Sequence, residues 1–197
     1  MKENILQNIR YIPIPQQRWC CVPACISMIM YRHGIPLVAQ EELGECLGLI
    51  VPKDQMYLFN NVKTGPKPAG GYGTRIFKKE YYPDEAFKKL NIPLRMIYHS
   101  IDEFETEKEL EKMLVNIEKE DKDAILCFDY GILHDHSHRG GHAVVFDRMV
   151  GGEVRIVDPW IELPKLQTHN ISKLYNAMQK HGKAQMAGVW VFDKVGK

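Results

Sequence analysis

The chain carries two hydrophobic rhythms, helical in its first half and strand-like in its second. Residues 11–18 are rich in Pro and Gln and read as an extended lead-in. The run Cys21-Val22-Pro23-Ala24-Cys25-Ile26-Ser27-Met28-Ile29-Met30 is then apolar on nearly every face, which predicts a buried central helix over 21–33. Pro23 fits the first turn of that helix, and Gly34 suits its end. A short helix is expected over 38–47 with Gly48 ending it, another over 83–90, and a strand over 94–98. Leu110, Met113, Leu114 and Ile117 recur at helical spacing among Glu and Lys, predicting an amphipathic helix within 101–120. Strands are expected at 124–130, 142–148, 153–158 and 187–193, with a helix over 171–181 between the last two. Gly151-Gly152 reads as a hairpin turn. Helices early and clustered strands late indicate an α+β fold with a mainly antiparallel sheet, and residues 1–197 read as a single domain without repeats.

Composition narrows the function. The chain has 197 residues, 45% hydrophobic and 26% charged, enough for a substantial core. A formal charge of +1 gives no reason to expect nucleic acid or a membrane as partner. No apolar run reaches bilayer length, and the first ten residues lack a secretory apolar core, so a cytoplasmic location is expected. Five cysteines, two of them adjacent, fit free thiols better than a disulfide framework. No Cys-x-x-Cys occurs, and no metal or other cofactor is expected. Oligomeric state is open. The glycines of the loop at 64–74 do not match a phosphate-binding loop, and a surface connection is preferred there to a substrate-flanking role.

The chemistry-bearing residues are Cys21, His142 and Asp158. Cys21 opens the apolar helix, where unpaired backbone N–H groups favour a thiolate. Cys20 and Cys25 are its rivals, but Cys25 lies a turn inside and reads as core. Cys46 and Cys127 sit in apolar runs and read as packing residues. His142 starts one strand of the predicted hairpin, and Asp158 closes the other, so the turn brings them towards each other. Asp147 is nearer in sequence, but counting by twos puts it on the opposite face of the strand. Thiol, imidazole and carboxylate together suit acyl transfer. A developing oxyanion also needs donors, for which the Cys21 N–H and a side-chain amide from Gln16 or Gln17 are candidates, Gln16 slightly preferred. His134-Asp135-His136-Ser137-His138 is a rival signal for a divalent metal, although a solvent-exposed loop beside the base is the simpler reading.

These segments also resemble a known family. Gln-Gln-Arg-Trp-Cys-Cys-Val-Pro-Ala-Cys-Ile-Ser-Met-Ile-Met-Tyr-Arg-His-Gly resembles the nucleophile helix of papain-like cysteine peptidases of the bacteriocin-processing (double-glycine) type. Gly-Gly-His142-Ala-Val-Val-Phe and Val-Arg-Ile-Val-Asp158-Pro are similar to that family's histidine and aspartate strands. Residues 51–122 carry no such likeness. The resemblance implies a papain-like fold with a buried N-terminal nucleophile helix, Cys21 as nucleophile, His142 as base and Asp158 as orienting acid. The family's amide donor falls on Gln16 or Gln17, a residue or two closer to Cys21 than is usual. Val22 stands where the family commonly has glycine. No ATP-driven exporter domain accompanies these segments, so cleavage coupled to export is not implied.

The leading functional expectation is thiol-dependent hydrolysis of a peptide or other amide bond. One alternative is an acyltransferase or peptide-modifying enzyme using the same three residues. Another is a non-catalytic module that binds a metal or a partner on the same scaffold.

Overall fold

The computed structural model describes residues 9–68, 71–137, 140–160, 162 and 166–196. Helix α1 (Cys21–Arg32) starts with Pro23 in its first turn and gives way to Gly34, whose positive φ of 64° lets the chain turn off the helix end. Every residue from Val22 to Met30 is buried, so the all-round apolar character follows from enclosure. After α2 (Gln40–Cys46), strands β1 (Ile50–Val51) and β2 (Lys63–Thr64) form a small parallel ladder. Two-residue strands leave no period in a sequence, and none was expected there. Helix α3 (Pro83–Lys89) begins on its proline, and β3 (Leu94–Ser100) follows.

The periodic stretch at 101–120 divides in two. Ser100 forms a capping box with Glu103 over a single 3-10 turn, and Thr106 forms a second with Glu109. Each box satisfies orphan N–H groups at a helix start. The continuous helix is therefore only α4 (Glu107–Lys119), which buries Leu110, Leu114 and Ile117.

The remaining elements are β4 (Asp123–Asp129), the single turn α5 (Tyr130–Leu133), β5 (Gly141–Val150), β6 (Glu153–Val157), β7 (Leu166–Asn170), α6 (Ile171–His181) and β8 (Gly188–Lys194). They complete a six-stranded sheet in the order β3-β8-β4-β5-β6-β7, antiparallel at every pairing. One face packs Ile125, Cys127, Ala143, Val145, Trp190 and Phe192 against α1 and α3. The other packs Leu126, Phe128, Val144, Phe146, Val189 and Val191 against α4 and α6. Covered on both sides, β4, β5 and β8 need apolar residues at successive positions, and each large side chain so enclosed contributes about 1.5–3 kcal/mol. Strand β7 is an edge strand with polar, partly exposed side chains, and its sequence carries no strand signal.

The β5–β6 hairpin turns at Gly151 and Gly152, both at positive φ, and runs from Val150↔Glu153 to Val145↔Val157. Its register shifts between Phe146 and Arg148, so Asp147 sits in a bulge. Asp147 is fully buried and bonded to Arg155 at 2.6 Å and Arg148 at 3.2 Å, with the Arg10 N–H at 3.4 Å. This carboxylate belongs to a structural ion cluster.

Candidate active site

The chain enters α1 through a tight turn in which the Cys20 N–H donates to the Gln17 carbonyl at 2.9 Å. Trp19 takes φ 67°, a left-handed conformation that costs a bulky residue about 1–2 kcal/mol. Its ring holds it there: Nε1 donates to Gln55 Oε1 at 2.7 Å, and Tyr72 packs at 5.4 Å between centroids. The effect is to swing Cys21 out at the first position of the helix, half-exposed, while its neighbour Cys20 turns fully inward.

The other cysteines have different surroundings. Cys20 packs with Leu49, Val51 and Phe59, and burial, with the Cys21 thiol beside it, pushes its pKa up to about 12. Cys25 is fully buried, and the same causes hold it well above the ordinary thiol range. Its protonated Sγ donates to the Ala143 carbonyl at 3.3 Å. Cys25 lies one turn below Cys21 and Ala143 follows His142, so this bond ties the cysteine helix to the histidine strand beside the site. Burial also raises Cys127, and Cys46 is half-buried away from β5 among Glu45, Lys63 and Glu85.

His142 opens β5 opposite Phe128 and is 4% exposed. Asp158 follows the last residue of β6 and is fully buried. His142 Nε2 lies 2.9 Å from Asp158 Oδ1. Nε2 is thereby committed to Asp158, which leaves Nδ1 as the ring's other nitrogen, and the Cys21 thiol lies near enough to act on the charge of the imidazole. Burial alone would pull the imidazolium down. The bonds to Asp158 and Cys21, together with their charges, outweigh it and push the His142 pKa up to about 10. Burial likewise works against the Asp158 carboxylate, but His142, the Trp160 N–H at 2.7 Å and the charge of His134 hold its pKa below the usual carboxylate value.

Three rings box the imidazole: Phe128, Tyr130 and Trp160 stand edge-on to it at 6.0, 5.7 and 6.0 Å between centroids. They keep water from the His142–Asp158 bond and leave the Cys21 side of the ring open to its partner. The histidine-rich loop contributes to this wall. His134 is not the solvent-exposed residue its loop sequence suggests: its ring packs on Tyr130 at 4.6 Å and on His169 at 5.4 Å. Its Nε2 approaches Asp158 Oδ2 to 3.9 Å. Asp135 pairs with Lys173 at 2.5 Å, and exposed His136 meets the Tyr130 ring at 5.9 Å. His138 lies outside the described residues. Among the described residues no three His, Cys, Asp or Glu side chains converge as a metal would need. No helix of the described residues is long and apolar enough to cross a membrane.

The two glutamines diverge. The Gln17 N–H is bound by Gln40 Oε1 at 2.7 Å, and its side chain donates to the Leu58 carbonyl at 2.9 Å, away from His142. The Gln16 N–H donates to the Pro159 carbonyl at 2.9 Å, one residue past Asp158. Its Oε1 is buried with no hydrogen-bond partner among the described residues. Gln16 is therefore the glutamine joined to the segment that follows Asp158. Sequence reasoning does not reach Tyr130, Trp160 or Gln167, whose approach depends on the chain's path after β4 and β6.

No protein-family model matches the chain, and no curated protein matches it. Thirteen chains of solved structures do match in three dimensions. One, from Bacillus anthracis, is described as a "putative C39-like peptidase" and superposes with a TM-score of 0.60 at 16% sequence identity. The match covers 96% of this chain and 98% of that one. At that identity the likeness is one of fold: this chain, with its antiparallel sheet and buried N-terminal helix, shares the fold of that structure.

Proposed function

We propose that this chain is a cysteine peptidase-like hydrolase that cleaves a peptide or other amide bond through an acyl-Cys21 intermediate. The observation that carries the reading is the buried His142–Asp158 pair at 2.9 Å, with the half-exposed Cys21 thiol at the start of α1 near enough to act on the charge of the imidazole. A mixed fold shared with a C39-like peptidase agrees with it.

The form that reacts is a Cys21 thiolate facing a protonated His142. Cys21 Sγ attacks the carbonyl carbon of the scissile amide, and negative charge moves to the carbonyl oxygen. The Cys21 backbone N–H, one of the first-turn donors that no helical carbonyl reaches, and the Gln16 amide N–H are the groups to receive that charge. The C–N bond breaks as His142 Nδ1 gives its proton to the leaving amine, which departs and leaves a thioester. Neutral His142 then takes a proton from water, whose hydroxyl attacks the thioester. The carboxylic product leaves, and the thiolate–imidazolium pair returns. Asp158 stays ionised throughout and orients the ring.

Peptide-library cleavage by wild type and Cys21→Ala tests the reading. The variant is expected to fold normally, as seen by circular dichroism, and to lose at least about 10³-fold in kcat/KM. Undiminished cleavage in Cys21→Ala would overturn it. Trapping of product by an added amine would reassign the second half-reaction to acyl transfer.

A further inference from the structure

Building on the proposed triad, we infer that Gln167 and His169 on β7 are positioning residues that fix the plane of the Asp158 carboxylate and so hold His142 in line. The argument begins with what a buried carboxylate needs. Asp158 Oδ1 accepts from His142 Nε2 at 2.9 Å and from the Trp160 N–H at 2.7 Å. Those two bonds share one oxygen, and alone they would leave the group free to pivot about its Cβ–Cγ bond. Gln167 Nε2 donates to the other oxygen, Oδ2, at 3.3 Å, which fixes both ends of the carboxylate.

A glutamine amide can turn over, and turned over it would aim its own oxygen at Asp158. The ionised Asp158 can only accept, so the amide turns Nε2 to it and Oε1 to His169, whose Nε2 lies 2.9 Å away. Burial and the nearby charges of His134 and Lys173 lower the His169 pKa to about 4, so the ring is neutral at pH 7. A neutral ring protonated on Nε2 donates to Oε1 and leaves the amide only its N–H groups to offer Asp158. The chain of donors thus runs from His169 to Gln167 to Asp158, with His142 donating from the opposite side. Backbone pairing sets the geometry, because β7 runs beside β6 in the register Ile156↔Gln167, bringing Gln167 level with the end of β6. The titratable groups facing this cluster are His142 from β5, Tyr130 from α5 with His134 beyond it, Cys25 from α1, His169 itself, and Lys173 from α6, which is paired to Asp135.

The test uses alkylation of Cys21, followed by mass spectrometry, so that it needs no substrate. Iodoacetate carries a negative charge and iodoacetamide does not, so the ratio of their rates reports the imidazolium of His142 across pH. In Gln167→Met, which keeps the length and loses the donor, the inflection in that ratio is expected about one unit lower, because a carboxylate free to turn out of line holds the imidazolium about tenfold less well. Gln167→Glu is expected to match wild type at acid pH, where a protonated carboxyl can donate to Asp158. As it ionises against Asp158 it should add a second inflection that wild type lacks, a signature that loss of packing does not produce. His169→Phe should fall between wild type and Gln167→Met. If both Gln167 variants fold and keep the wild-type profile, the inference is overturned while the triad stands. If wild-type labelling is also indifferent to His142→Ala, the triad and this inference fall together.

Discussion

Replacing Asp158 by Asn probes the site most sharply, because the change is nearly isosteric and its consequence can be worked from the hydrogen bonds. Among the described residues Asp158 accepts from three donors: His142 Nε2, the Trp160 N–H and Gln167 Nε2. Asparagine has one acceptor oxygen, so in any rotamer its NH2 confronts at least one of those donors inside a fully buried site. The charge is lost as well. His142 is held from its ordinary 6.5 up to about 10 against the pull of burial, which corresponds to ~5 kcal/mol favouring the imidazolium. Asp158 supplies the foremost of the raising interactions and Cys21 the rest. Removing the Asp158 share is expected to lower the inflection by about two units, or ~3 kcal/mol. The sign follows from the direction of the shift. The imidazolium is favoured below the folded pKa, so wild type should keep it until pH rises towards 10, and Asp158→Asn should lose it as pH rises through about 8. Cys21-resolved alkylation by iodoacetate and iodoacetamide across pH measures this. A ratio profile in Asp158→Asn that overlays wild type would refute the claim that this carboxylate sustains the pair.

Two further expectations concern neighbours of the site. Gln16→Ala should reduce kcat by about 10²-fold, the usual loss of one oxyanion donor, while Gln17→Ala, whose side chain is bound at Leu58, should stay within a few-fold of wild type in the same peptidase assay. Gly141→Ala should destabilise the fold by about 1–3 kcal/mol, because a Cβ there would sit 2.6 Å from His181 Cε1. Thermal melts of Gly141→Ala with and without His181→Ala check the cause, since removing the ring should restore most of the loss.

Much of the fold is legible in the residues, and the exceptions have physical reasons. The apolar run of α1 and those of β4, β5 and β8 are readable because burial on every side excludes polar residues. Strand β7 escapes because Leu166-Gln167-Thr168-His169-Asn170 lies at a sheet edge, where backbone pairing rather than side-chain burial defines the strand. Helix α4 begins later than its periodicity suggests because Ser100 and Thr106 each close a capping box, which fits Ser-x-x-Glu and Thr-x-x-Glu in the sequence. Within the site, Pro23 marks where α1 starts and therefore singles out the half-exposed Cys21. Gln16 and Gln17 cannot be separated from sequence, because the difference between them lies in partners, Pro159 and Leu58, that are distant along the chain. The second ring of contacts on Asp158 is invisible for the same reason: Gln167 reaches it only through the β6–β7 pairing.

The place of β8 in the sheet governs when the site can come into being. This strand is the last in sequence yet lies inside the sheet, between β3 and β4, which do not pair with each other. A ribosome releasing the chain therefore delivers Cys21 early, followed by the lone strand β3 and the group β4 to β7, and only the arrival of residues 188–194 lets them lock into one surface. Until then the layer beneath α1 lacks Trp190 and Phe192, two of the large aromatics on that face. Closure across such sequence distances is slow compared with helix formation. A chain ending short of β8 would lose an interior member of the sheet, so the surface on which α1 rests is complete only once residues 188–194 have been made.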